Sequence, residues 1–322
     1  MQKLLSLILC LALLFGTNAC NTDVPKHDPP TDVGGENQEN GGTENMLDGK
    51  KIIFIGDSFI YYGGVVLNGS PSRYQDEGYF YELCRANGAD VSVTNWTYGG
   101  KGISYIYNNY LEELEDPYYD YVVFSGGRNS SSKAQDYFDV LEKYMTFFRN
   151  ANPYVEFLYL VSSGAHNISV AESFPIEILN SLVAFEEMGI TIVDWGKMVA
   201  DIIRGTAPLA QTENTLNKNT FIVHQSDADG YHPNQLTGYL TALMTYIAIT
   251  GESAVGQSYD FWNDTSLDGR FSPDRFIETY YKKGETNYPA VFSSARDMHA
   301  LQTLVDTYFA EKAFRTYNFS AE

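Results

Sequence analysis

From residue 51 to residue 203, short apolar runs alternate with amphipathic ones, and this alternation leaves few folds open. Lys51–Ile55, Asp90–Asn95, Tyr121–Phe124, Val155–Val161 and Ile190–Asp194 have the length and apolar content of strands. Between and after them, Gly78–Asn87, a run ending near Glu115, Ser132–Asn150, Phe174–Met188 and Met198–Ile203 read as helices. In the third of these, Phe138, Leu141, Met145 and Phe148 fall on one helical face. Strands separated by helices pair in parallel, because each helix carries the chain back to the edge where the next strand begins. The pattern predicts an α/β fold with a mainly parallel five-stranded sheet and helices on both faces.

The first strand pattern runs directly into Gly56-Asp57-Ser58. Open α/β sheets place their ligand crevices outside the carboxyl ends of the strands, so Ser58 stands where chemistry is expected. A Gly-Asp-Ser by itself is an ordinary turn. Far downstream, Asp229-Gly230-Tyr231-His232-Pro233-Asn234 supplies a carboxylate and an imidazole three residues apart, ahead of an apolar helix over Asn234–Thr250. Serine, histidine and aspartate are the parts of an activated nucleophile. The chain has no G-x-S-x-G elbow.

Four short blocks, in order, resemble those of the SGNH (GDSL-type) hydrolases. Gly56-Asp57-Ser58 matches the first. Asn95-Trp96-Thr97-Tyr98-Gly99-Gly100 resembles the second, with Gly100 as the glycine equivalent. Gly127-Arg128-Asn129-Ser130 matches the third through its Asn, with Ser130 where the family has Asp. Asp229 to His232 matches the last, and its DGYHP form is similar to a branch found in bacterial lipoproteins. The resemblance covers about residues 51–250. It implies a three-layer α/β/α sandwich, flavodoxin-like, with strand order 2-1-3-4-5.

The resemblance also implies roles. Ser58 would attack an acyl carbon, His232 would take and return its proton, and Asp229 would orient the ring. The oxyanion would meet the Ser58 N–H, the Gly100 N–H and the Asn129 amide. Asp57 is expected to cap a turn or helix. Asp227 is a weaker rival to Asp229, and His224, His166 and His299 stand without matched partners. A metal site from His224, Asp227, Asp229 and His232 is an alternative that leaves the Gly-Asp-Ser block unexplained. No cofactor is expected. Gly99-Gly100-Lys101-Gly102 lacks the spacing of a phosphate loop.

Around this core the chain divides into segments. Residues 1–19 carry Lys3, an apolar run from Leu4 to Phe15 and a small-residue exit, as in a signal peptide. Cys20 follows the exit and is the candidate lipidation site, for a palmitate-bearing lipoprotein anchored to a bacterial outer membrane; the alternative is a plain secretory signal. Thr17 stands where a lipoprotein signal usually has Leu. Residues 20–49 are polar and Gly-rich and read as a flexible linker. Residues 50–251 form the expected catalytic domain. Residues 252–322 form a C-terminal helical and irregular extension, with a helix over Arg296–Phe314, packed on the same domain.

The formal charge is −20, and removal of residues 1–19 takes away one base and no acid, leaving −21. So negative a chain is a poor match for nucleic acid or for adsorption to anionic lipid, which leaves the membrane to the anchor alone. With Cys10 in the leader and Cys20 lipidated, Cys84 remains as a small buried apolar residue. The loop Ile60–Glu77 follows Ser58 and is rich in Tyr, Gly and Ser, so Tyr61, Tyr62 and Tyr74 are candidate ligand-facing aromatics. Arg128 is a candidate for binding an acidic substrate group or for an internal ion pair. The expected function is an exported esterase that removes acetyl or other small acyl groups from a glycan. The alternatives are a lysophospholipase or thioesterase, and a non-catalytic glycan-binding lipoprotein on the same scaffold.

Overall fold

A computed structural model describes residues 45–61, 63–66, 76–125, 134–161, 187–221, 233–259, 261 and 290–310. All of them belong to the compact unit Glu44–Glu322. The strands are β1 (Lys51–Gly56), β2 (Ser92–Thr97), β3 (Tyr121–Ser125), β4 (Glu156–Leu160) and β5 (Ile190–Val193). They form one sheet in the order β2-β1-β3-β4-β5, with every pairing parallel. This is the strand order that the resemblance implied, in a three-layer α/β/α arrangement.

The helices of the described residues are α1 (Ser58–Tyr61), α2 (Tyr79–Ala86), α3 (Ile103–Tyr110), α4 (Ala134–Ala151), α5 (Trp195–Arg204), α6 (Lys218–Phe221), α7 (Gln235–Thr250) and α8 (Ala295–Ala310). The period-two geometry of the strands sorts their side chains between two cores. Ile52, Phe54, Val93, Tyr121, Val123, Leu158, Leu160 and Val193 face one core, filled from the helix side by α2, α5, α7 and α8. Ile53, Ile55, Trp96, Val122, Phe124, Phe157, Tyr159 and Ile192 face the other, covered by α3 and α4. Both faces of β1 are therefore dry, which explains its unbroken apolar run.

Several boundaries differ from the sequence expectation for local reasons. β2 begins and ends two residues later than Asp90–Asn95, because Trp96 and Thr97 still pair with Ile55 and Gly56. The helix expected from Met198 starts at Trp195, because Asp194 caps it by accepting the Lys197 N–H at 3.0 Å. The loop expected from Ile60 begins with a helical turn, α1. After α5 the chain runs without regular structure from Gly205 to α6. Cys84 is fully buried, and burial pushes its thiol pKa well up. The leader, residues 20–44 and the helix expected over Phe174–Met188, apart from its end at 187–188, lie outside the described residues.

Two outcomes follow. Phe54 is fully buried and meets Phe80 edge-on at 5.2 Å. Phe54→Ala is expected to cost about 3–5 kcal/mol, read as a lower midpoint in urea. Tyr121 is also buried, and burial, helped by the Glu156 and Asp120 carboxylates, raises its phenol from 10.0 to about 12. A folded-state pKa above the unfolded one means stability that is present below about pH 10 and is lost as pH rises toward about 12. Tyr144 and Tyr239 shift in the same direction by burial. Tyr121→Phe should therefore reduce, without abolishing, the alkaline slope of unfolding free energy.

Candidate functional site

The site is built where β1 and β2 end. Their register sets Gly56 opposite Thr97, and the Tyr98 N–H donates to the Gly56 carbonyl at 2.8 Å. The chain after each strand then turns on the same edge of the sheet. After β1 come Asp57 and α1. After β2 comes the turn Gly99-Gly100, with Gly100 at φ +68° and the Lys101 N–H returning to the Tyr98 carbonyl at 3.1 Å.

Asp57 is the cap of α1. Its Oδ1 accepts the Phe59 N–H at 3.0 Å, and its carbonyl accepts the Ile60 N–H at 3.2 Å. The cap expected of Asp57 thus acts on the helical turn that holds Ser58 itself. Ser58 is buried, 8% exposed, at the first position of that turn. Gly56 is confined by β3: a β-carbon there would lie 2.3 Å from the Ser125 carbonyl oxygen. The strand end that delivers Ser58 therefore runs against backbone on both sides.

Tyr61, a candidate ligand-facing residue, is buried, 7% exposed. Its hydroxyl occupies the space beside Gly99, where a β-carbon would lie 2.5 Å from it. Tyr98 lies flat on Tyr110, centroids 4.0 Å apart. Lys101 sits over the Tyr105 ring at 4.4 Å, and Tyr105 is exposed. A group of tyrosines thus rims the Gly99-Gly100 turn.

The chain after α1 is fastened to α7. Gly63 and Gly238 meet backbone to backbone: a β-carbon on Gly238 would fall 1.7 Å from the Gly63 oxygen, and one on Gly63 would be 3.0 Å from the Asn234 carbonyl. Asn234 caps α7 by accepting the Thr237 N–H at 3.1 Å. Its Nδ2 donates to the Thr220 carbonyl at 2.7 Å, and its own N–H donates to the Phe221 carbonyl at 3.1 Å. Phe221 and Asn234, which bracket the Asp229–His232 block in sequence, are hydrogen-bonded to each other. The helix expected over Asn234–Thr250 thus begins one residue later, with Asn234 as its cap; the paired glycines carried no sequence signal.

Tyr62, Tyr74, Arg128, Asn129, Ser130, His166, His224, Asp227, Asp229, His232 and Cys20 lie outside the described residues. His299 is exposed on α8. Among the described residues no group of three or more His, Cys, Asp or Glu side chains could hold a metal ion.

No protein-family model matches the chain, and no curated protein matches it. Solved structures similar to it include an acetylxylan esterase from Geobacillus stearothermophilus, at 16% identity over 63% of this chain and 96% of that one, with a TM-score of 0.47. Another is a protein from Parabacteroides merdae given as a candidate GDSL-like lipase, at 17% identity over 64% of this chain and 98% of that one, with a TM-score of 0.46.

The glycine contact gives a direct outcome. Gly238→Ala would press a methyl group into the Gly63 backbone, which cannot rotate away. The expected loss is about 3 kcal/mol or more, seen as a fall in thermal midpoint. Ala substitution at Gly102, where a β-carbon meets nothing within 4 Å, should shift it far less.

Proposed function

We propose that the chain is an exported SGNH-type serine esterase that removes acetyl or other small acyl groups from a carbohydrate. One observation carries this reading. Ser58 and the Gly100 turn leave neighbouring strands on one sheet edge, and α7, which follows the Asp229–His232 block in sequence, packs through Gly238 against Gly63, just beyond Ser58. The nucleophile turn and the Gly100 turn are therefore neighbours, and the helix that follows the Asp229–His232 block in sequence packs beside them, which supports the reading of a triad hydrolase.

In this reading the Ser58 Oγ attacks the acyl carbon while His232 takes the hydroxyl proton. Asp229 orients the imidazole and stabilises its cation. Charge that develops on the former carbonyl oxygen is met by the Ser58 N–H, the Gly100 N–H and the Asn129 side-chain amide. Collapse expels the sugar hydroxyl, which receives the proton from His232 and leaves an acyl-serine. Water, deprotonated by His232, repeats the attack and releases the carboxylic acid and free Ser58. The loss of one oxyanion donor in such a site costs roughly 3–4 kcal/mol of transition-state stabilisation.

The carbohydrate assignment is supported by the tyrosine rim at the Gly100 turn, where Tyr105 stands 42% exposed beside the stacked Tyr98 and Tyr110. Tyrosine combines a flat apolar face with a polar tip and suits a ligand of that mixed character. The signal-like leader and Cys20 support export with a lipid anchor at the outer membrane.

The test is hydrolysis of p-nitrophenyl acetate and of longer p-nitrophenyl esters by the full-length protein and by Ser58→Ala. The expected result is activity that is highest on acetate, falls with acyl length, and drops by about 10³-fold or more in the variant. Preference for long chains would replace the small-acyl assignment with a lipase or thioesterase. The same background rate in both proteins, on these esters and on acetylated xylan, would overturn the esterase and favour a binding protein.

A further inference from the structure

We infer that Tyr61 is a positioning residue, a strut that sets the distance between the nucleophile turn and the oxyanion turn. The inference rests on the esterase reading above, and it assigns Tyr61 away from the substrate surface. Tyr61 closes the helical turn that begins at Ser58. Its side chain is buried at 7% exposure, so the ring has little freedom. The hydroxyl at its end fills the space of the missing side chain at Gly99, 2.5 Å from where a β-carbon would be, with Cζ at 3.7 Å. Gly99 precedes Gly100, whose amide is the second oxyanion donor in this reading.

Two features make this contact more than packing. Gly99 has no left-handed backbone requirement, whereas Gly100 beside it does, at φ +68°. Backbone strain therefore does not explain a glycine at 99, and the hydroxyl of Tyr61 does. The contact also joins the chain that leaves β1 to the chain that leaves β2, past the end of their ladder. Up to Gly56 and Tyr98 the two chains are held by hydrogen bonds. Beyond that point each turn needs another constraint, because an oxyanion hole works only with donors held within a few tenths of an ångström of the developing charge.

The test is a double-mutant cycle between Gly99→Ala and Tyr61→Phe, which removes only the oxygen that the new methyl group would meet. Gly99→Ala alone should push the turn away, lowering kcat by about 10²-fold or more with KM within about twofold, as for loss of an oxyanion donor. Tyr61→Phe alone should lower kcat less. In the double variant the methyl group takes the vacated space, so kcat should recover at least about tenfold over Gly99→Ala. Multiplicative losses would overturn the strut, and so would a Tyr61→Phe effect confined to KM, which is the signature of a substrate contact. The thermal midpoints of the same four proteins give a second readout. If the wild type and Ser58→Ala hydrolyse esters equally, the esterase reading fails, and the midpoints alone decide the contact: less-than-additive losses support it and additive losses overturn it.

Discussion

A parallel sheet forces every strand to end on the same edge. A chain that returns through a helix after each strand cannot do otherwise, and in this protein all the strand pairings are parallel. Both faces are sealed by helices, so the sheet edge at the carboxyl ends is where loops and polar groups can gather. Ser58 leaves β1, which lies between β2 and β3, so the carboxyl ends of both strands and the Gly99-Gly100 turn beyond β2 flank it. The position of the candidate nucleophile is thus a consequence of how the core is covered.

Glycine then refines what topology leaves loose. Hydrogen-bond ladders fix strands to within a fraction of an ångström but stop at the last paired residue. Past that point the described chain is held by close approaches that no side chain would permit: Gly56 against Ser125, Gly63 against Gly238, and Gly99 against the Tyr61 hydroxyl. Each joins elements distant in sequence, and each lies within a few residues of a block that resembles catalytic machinery. The first two are backbone-to-backbone contacts, stiffer than those between rotatable side chains, since no rotamer can relieve them.

The sheet and its helices were legible because burial imposes periodicity. The unbroken apolar run Ile52–Ile55 and the one-faced spacing of Phe138, Leu141, Met145 and Phe148 are direct imprints of packing, on two faces and on one, and the structure gives β1 and α4 at those places. Gly88 and Gly251 stand just past α2 and α7 at φ +77° and +70°, the left-handed conformation in which glycine commonly ends a helix. The helical turn at Ser58 was not legible, because four residues are too few for a period and its stability comes from the Asp57 cap. Tyr61 shows a sharper limit. Composition marked it as an aromatic in a polar loop, but it is buried with its hydroxyl beside Gly99, 38 positions away. No local pattern encodes that.

The same limit governs the C-terminal segment. Its helix was readable from spacing, but its attachments were not. Asp297 is fully buried and accepts the Glu213 N–H at 2.6 Å, the Asn214 N–H at 3.1 Å and the Asn214 amide at 2.7 Å. Asp306 accepts the Ala254 N–H and the Ser253 hydroxyl, both at 2.6 Å, and Gln302 donates to the Tyr239 hydroxyl and the Gln257 carbonyl. Buried carboxylates are tolerable only with such donor sets, since an unsatisfied buried charge is strongly destabilising. One helix thereby fixes the loop that leads into α6 and the loop that leaves α7, at both sides of the segment that carries Asp229 and His232 in sequence. Residues 290–310, although beyond the last recognisable block, are therefore bound into the same core that supports the candidate site.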